Sequence, residues 1–318
     1  MPRINQGVAL AQEFNSLIPR ANELGLGLSL LNPTSHFNRS LLRARIAELR
    51  SQISGFSVQV SGLAQTFGVE FEFYLPRGGS RYALATALTN AGVVTRVENY
   101  NHATRTGWKI VTDGSLGNYE RGSELVSPIL SGNEGLELVR KAAAVLIQAG
   151  CKVSKKCGFH VHVGARGHGI QFFRNILRLY KKFEPVIDRV LTPSRRSNYY
   201  CSSVRFDDRR LEAATTIDDL ARDPQLRDRH RKLNLDAYWR HGTVEFRQHQ
   251  GTIEAEKATM WVRIALRMTA AALTKSKEDL EASEVSLAGF LKLVEAEASE
   301  AEYLHHRAAF FAHREARA

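Results

Sequence analysis

The chain has 318 residues, 43% of them hydrophobic and 24% charged. That content supports a packed core in one large domain or two modest ones and excludes a disordered or fibrous chain. The net charge of +11 favours acidic partners such as nucleotides, nucleic acid or acidic proteins.

Residues 1–60 read as helical and separate. The apolar spacing of Leu10, Phe14, Leu17, Ile18 and Ala21 predicts a first helix from about Val8 to Leu24, interrupted near Pro19. Asn32-Pro33 marks a turn, and Leu41, Leu42, Ile46 and Leu49 line one side of a second helix capped by Asn38 or Ser40. This segment holds six Arg, no Lys and three Glu. Two readings stand: a helical arm that packs on the main domain or a partner, and a small nucleic-acid-binding module.

From about Thr66 the hydrophobic period switches to two. FGVEFEFYL is predicted as a strand, RGGSRYALATALTNAG as a turn and helix, and WKIVTDGSL as a strand running into a turn. SELVSPIL is extended and stopped by Pro128, and NEGLELVRKAAAVLIQAG is an amphipathic helix ending at Gly150. VSKKCGFHVHVG is the next strand. GIQFFRNILRLYKKFEPVIDRVL is a long helix, with a kink predicted at Pro185, and SRRSNYYCSSV is a loop. LNLDAYWRHGTVEFRQHQGT holds one or two strands. EAEKATMWVRIALRMTAAALTK is a helix, and residues 276–318 are helical. The expected domains are 1–60, 61–275 and 276–318.

The strands have two unlike faces. Val69, Phe71 and Phe73 alternate with Glu70 and Glu72; Phe159, Val161 and Val163 with His160 and His162; Val244 and Phe246 with Glu245 and Arg247. Alternate side chains point to opposite faces of a sheet, so each strand buries one face and aims ionisable groups from the other. Parallel strands buried on both faces would read as continuous apolar runs. The pattern predicts an α+β fold with helices on one side of the sheet and an open, chemically active side.

Glu70 and Glu72 lie about 7 Å apart on one face and repel unless a cation or proton sits between them, which favours metal ligation over a solvated strand face. For His160 and His162 the reading is one metal ligand and one phosphate contact. His160 is assigned to the metal and His162 to the nucleotide, with the order within the pair left open. Glu245 completes a carboxylate cage and Arg247 supplies charge to a phosphoryl group in transfer; both are the candidate catalytic residues. Glu124 is the fourth carboxylate. Asp113 is a second candidate, with a plain Asp-Gly turn as its alternative. Arg195 and Arg196 could hold a phosphate or a substrate carboxylate, or form a solvated basic loop. Trp108 and Trp261 read as core. No P-loop, GxGxxG or GxSxG spacing occurs.

The three cysteines, Cys151, Cys157 and Cys201, lack CxxC spacing, which argues against a disulfide framework or structural zinc and for a reducing cytoplasm. No segment reaches the ~20 apolar residues of a spanning helix, and the N-terminus lacks a secretory pattern; no membrane role is expected.

The order FGVEFEF, WKIVTDGSL with SELVSPIL, CGFHVHVG, SNYYC and GTVEFRQHQGT, followed by a Trp-bearing helix, resembles the amidoligase family, relatives of glutamine synthetase and glutamate–cysteine ligase, over roughly residues 66–270. The resemblance implies a glutamine-synthetase-like curved, mainly antiparallel sheet whose concave face binds metal and ATP. It implies ATP-dependent joining of a carboxylate to an amine through an acyl phosphate, with Mg²⁺, or Mn²⁺ in its place. It carries over Glu70 and Glu72 as first-strand carboxylates, Glu124 as the middle one, His160 or His162 as the histidine, and Glu245 with Arg247 as the final pair. The carboxylate and amine substrates, small molecule, peptide or protein, stay open, as does the oligomeric state. The alternatives are a guanidino-type phosphotransferase, which stops at phosphoryl transfer, and a nucleic-acid-binding protein on a degenerate ligase core.

Overall fold

The computed structural model describes residues 65–117 and 120–317, together with Phe14, Asn15, Leu42, Arg45 and Ile46. The chain divides into two compact units, Met1–Leu63 and Ala64–Ala318. In the first, the five described residues are helical; the remainder of the two predicted N-terminal helices lies outside the described residues.

The second unit is built on one open sheet. Its strands are β1 (Thr66–Tyr74), β2 (Thr95–Val97), β3 (Trp108–Thr112), β4 (Gly122–Val126), β5 (Leu130–Ser131), β6 (Phe159–Gly164), β7 (Leu233–Asn234) and β8 (Thr243–Phe246). Their order is β2-β3-β4-β1-β6-β8-β7, with β5 on the end of β1. All pairs are antiparallel except β2–β3. The main helices are α1 (Arg81–Asn90), α2 (Gly132–Gln148), α3 (Ile170–Val190), α4 (Ala255–Thr274) and α5 (Ala298–Glu315). The fold is α+β.

The greasy strand face is the core. Phe71, Phe73, Phe159, Val161, Val163, Val244 and Phe246 are fully buried, each contributing roughly 1.5–3 kcal/mol of apolar burial. Helix α4 packs against β6, α2, α3 and α5, so it is buried along most of its length, its Arg263 and Arg267 held by Glu297 and Glu300 of the α5 end. Trp108 and Trp261 are buried as expected. Helix α3 runs through Pro185 without interruption. Its apolar stripe, from Phe172 and Phe173 through Tyr180 and Phe183 to Val190, holds it on the core despite the missing backbone donor.

Two elements differ from the sequence reading. The stretch read as one or two strands holds two, β7 and β8, and between them DAYWRH forms a short helix, Asp236–His241, that the sequence reading did not single out. Asp236 sits in its first turn and Gly242, at φ 74°, ends it in the left-handed conformation. The three-residue edge strand β2 carried no readable alternation. Among the described residues, no helix is long and apolar enough to cross a membrane.

Candidate active site

Antiparallel register decides which polar residues meet. Glu72 pairs with Glu124, and Glu124 with Val111. Glu70 pairs with His160. His162 pairs with Glu245, and Glu245 with Asn234. Directly paired residues share a face, so four carboxylates and two imidazoles from four strands gather on the side away from the helices. They form the floor of a cavity of about 690 Å³.

The floor is tightly connected. His160 Nδ1 lies 3.0 Å from Glu70 Oε2, and its Nε2 is 3.5 Å from Glu72 Oε1. Thr243 Oγ1 meets His162 Nδ1 at 2.9 Å, which aims Nε2 into the site. That Nε2 stands 3.2 Å from Glu70 Oε1 and 3.8 Å from Glu245 Oε1, yet makes no aligned hydrogen bond among the described residues. Asn234 Nδ2 donates to Glu245 Oε2 at 2.6 Å, and Arg247 Nη1 donates to Glu245 Oε1. Arg247 Nε and Asn234 Oδ1 are buried with no partner among the described residues. The Gly158 backbone N–H donates to Glu72 Oε2 at 2.6 Å. A Cβ at residue 158 would come within 2.5 Å of His160 Nε2, so glycine is what lets the backbone approach this closely.

Such crowding perturbs the acids in opposite directions. Burial alone would raise the Glu70 carboxyl; the His162 and His160 imidazoles outweigh it and hold it well below the usual range. Burial likewise opposes Glu245, which Arg247 and His162 keep lowered. Burial and then the neighbouring Glu70 and Glu72 carboxylates push Glu124 well above the usual range. Burial opposes a charged His162, but Glu245 and Glu70 raise it. Arg247 is raised further by Glu245, Glu70 and Glu72 against burial. A carboxyl forced up by its neighbours marks a place where positive charge is wanted.

Two donor sets lie close enough for a metal ion: Glu70, His162 and Glu245, and Glu70, Glu124 and His160, each with its donor atoms within 4.8 Å of one another. Both share Glu70, and the Nε2 of His162, which makes no aligned hydrogen bond among the described residues, lies beside the Glu70 and Glu245 carboxylates of the first set. Carboxylate-rich sets of this kind suit Mg²⁺ or Mn²⁺, so the residues of either set fit a divalent ion. Both imidazoles belong to a donor set, whereas the sequence reading divided them between metal and phosphate. Glu72, read as a ligand, is in neither set; it holds the Gly158 backbone.

The remaining predicted residues separate. Asp113 lines the cavity, and its Oδ1 accepts from Ser115 N at 2.8 Å, capping the turn as the alternative reading had it. Arg195 also lines the cavity, but is only 2% exposed. Its guanidinium carries the carbonyls of Arg247 and Gln248, so it fixes the backbone after β8. Arg196 does not line the cavity; it pairs with Glu315 and the Leu191 carbonyl. Arg195 ends a tight 3₁₀ turn, Pro193–Arg195, and Arg196 caps it, so the two side chains point in different directions, which a reading of two adjacent arginines did not foresee.

The family model described as "Putative amidoligase enzyme" matches residues 63–269, well over half of the chain. The chain belongs to the amidoligase family. The amidoligase match spans every strand described above and α4 up to Thr269. No curated protein matches it. A solved structure described as the crystal structure of a novel glutamine synthase homolog is similar, at 16% identity over 86% of this chain and 68% of that one, with a TM-score of 0.38.

Several residues of the amidoligase cavity were not singled out from the sequence. Tyr100 and His102 come from the loop before β3. That loop is held by Lys109, which shares the polar sheet face with Glu70 through the pairing Lys109–Val126–Glu70. Lys109 is 3% exposed, and its ammonium donates to Asn101 O and Oδ1 at 2.9 Å and to Ala103 O at 2.8 Å. The alternation of WKIVT was the available signal, since it puts Lys109, with Val111, on the face opposite Trp108 and Ile110. Lys155, Lys156, Arg229 and Arg240 add positive charge to the cavity wall, while Tyr199, Tyr200 and His230 add rings.

Proposed function

We propose that this protein is an ATP-dependent carboxylate–amine ligase that forms an amide through an acyl phosphate. The observation that carries the proposal is the convergence of Glu70, Glu124, Glu245, His160, His162 and Arg247 on one cavity floor. Membership of the amidoligase family supports it.

In this reading residues 61–275 are the catalytic core of a cytoplasmic enzyme. Glu70, His162 and Glu245 would hold one divalent ion and Glu70, Glu124 and His160 a second. When bound, Mg²⁺ or Mn²⁺ supplies positive charge to the triphosphate. A substrate carboxylate oxygen attacks the γ-phosphorus, the bond to the β-phosphate oxygen breaks, and ADP leaves with its electron pair. The amine nitrogen then attacks the acyl carbon and phosphate departs, leaving the amide after proton loss. Arg247, fixed by Glu245 and with Nε free of protein partners among the described residues, offers N–H groups to phosphoryl oxygens as charge develops. Glu124, whose carboxyl burial and its carboxylate neighbours push up, would be drawn towards its charged form by a bound cation. The substrates are a carboxylate and an amine of small-molecule, peptide or protein origin.

The test is mass spectrometry of carboxylate and amine mixtures incubated with ATP and Mg²⁺. The expected product has the summed mass less one water, with ADP release that needs both substrates. Glu70→Ala and Arg247→Ala should lower turnover by roughly 100-fold or more without loss of fold. Full turnover in either variant, or a phosphorylated product with no amide, overturns the proposal.

A further inference from the structure

The cavity carries an aromatic ledge that the proposed chemistry does not use. Tyr199 and Tyr200 are 75% and 48% exposed, although both line the cavity. Their rings stand 5.1 Å apart at 88°, and the His230 ring lies 5.2 Å from Tyr199 and 5.3 Å from Tyr200. Three rings in mutual contact have therefore been left open towards the cavity, and neither tyrosine hydroxyl has a hydrogen-bond partner among the described residues.

The ledge is built rather than loose. The two tyrosines occupy the tip of a turn closed by Cys201 N to Asn198 O at 3.1 Å. Asn198 Oδ1 accepts from Tyr200 N at 2.8 Å, and its Nδ2 donates to Ser194 O at 3.1 Å. Cys201, fully buried, anchors the far side of the turn. Ser202 N donates to His230 O at 2.7 Å, and Lys232 N to Ser202 O at 2.8 Å. These bonds clip the tyrosine turn to the segment that carries His230, so the ring arrangement is set before any ligand arrives.

The charges around the ledge narrow the ligand. Arg229, next to His230, is exposed at the cavity wall, and no protein group among the described residues pairs with its guanidinium. Burial, then Arg229 and Arg247, lowers the His230 imidazole, so both arginines act on the ledge electrostatically. The same cavity thus offers flat rings, unpaired cations and a carboxylate floor able to hold divalent ions. A ligand that matches all three has an aromatic ring at one end and a metal-binding polyanion at the other. We infer that Tyr199, Tyr200 and His230 form the platform on which the purine base of a nucleoside triphosphate stacks, with Arg229 meeting its anionic chain. This rests on the reading that the site uses ATP. Stacking on aromatic faces is tolerant of base identity because every base has a π-face, so GTP should bind within a few-fold of ATP.

The experiment is calorimetric titration of the full chain, in Mg²⁺, with ATP and separately with inorganic tripolyphosphate. Tyr199→Ala/Tyr200→Ala should weaken ATP binding roughly 10- to 100-fold, the scale of losing base stacking, and leave tripolyphosphate binding within twofold. Tyr199→Phe/Tyr200→Phe, which keeps the rings, should bind ATP as the wild type does. An alanine variant that binds ATP unchanged overturns the platform while leaving the ATP reading intact. Loss of ATP affinity in the phenylalanine variant also overturns stacking, because it assigns the effect to the hydroxyls. A wild type that binds neither probe overturns the ATP reading and the platform together.

Discussion

Replacing Glu124 by glutamine separates what a bound cation does from what the fold does. Oxygens of Glu70 and Glu124 lie within 4.8 Å of each other. At an effective dielectric of about 20, two unit charges at that separation repel by about 3.5 kcal/mol. Burial and then the Glu70 and Glu72 carboxylates push the Glu124 pKa well above the ordinary 4.5, so without a cation the folded protein favours its protonated form over the repulsion. Protonation therefore favours the folded state. The stabilisation is complete below the ordinary carboxylate pKa and is lost as pH rises through the folded-state value. The neutral amide of the variant carries no such dependence. In chelator at neutral to mildly alkaline pH, Glu124→Gln should melt above the wild type by up to about 3 kcal/mol, or roughly 6–12 °C for a unit of this size. Near pH 4 the two should melt together. Added Mn²⁺ or Mg²⁺ should reverse the order, because the wild type gains a ligand that the variant lacks; the divalent-ion affinity of the variant should fall roughly tenfold or more. Differential scanning calorimetry in chelator and in metal, at both pH values, reads all of this. A variant that melts below the wild type in chelator at neutral pH, or gains equally from metal, refutes the account of the cluster.

Lys109→Met removes the three bonds that hold the Asn99–Ala103 loop over the cavity. It should speed chymotryptic cleavage at Tyr100 several-fold and raise KM more than it lowers kcat; cleavage at the wild-type rate would show that the loop is held by something else. Arg196→Ala should leave turnover and KM for ATP within twofold and cost no more than about 1 kcal/mol in a melting experiment, since its pair with Glu315 is partly in solvent. A large rise in KM for ATP would return Arg196 to the site.

Much of the site was legible because a strand has a fixed period. Once GVEFEF, GFHVHVG and TVEFR are strands, the greasy and ionisable faces follow, and Glu70, Glu72, His160, His162, Glu245 and Arg247 must share one side if the strands share a sheet. Local sequence also placed helices α1 to α4, because stops such as Gly150 act over a few residues. Register is not local. That Glu72 faces Glu124, Glu70 faces His160 and His162 faces Glu245 depends on strand order and on loops that align distant segments. The difference between Glu72, which holds the Gly158 backbone, and Glu124, which joins a donor set, depends on that register. Loops have no period, so the placing of Tyr100 and His102 at the cavity and the turn that displays Tyr199 and Tyr200 emerged only in three dimensions. The sequence by itself determined which residues could do chemistry and which face would carry them, because side-chain alternation is a property of each strand alone. Only the tertiary structure decided which of them meet, because contact between separate strands is set by packing that no single segment encodes.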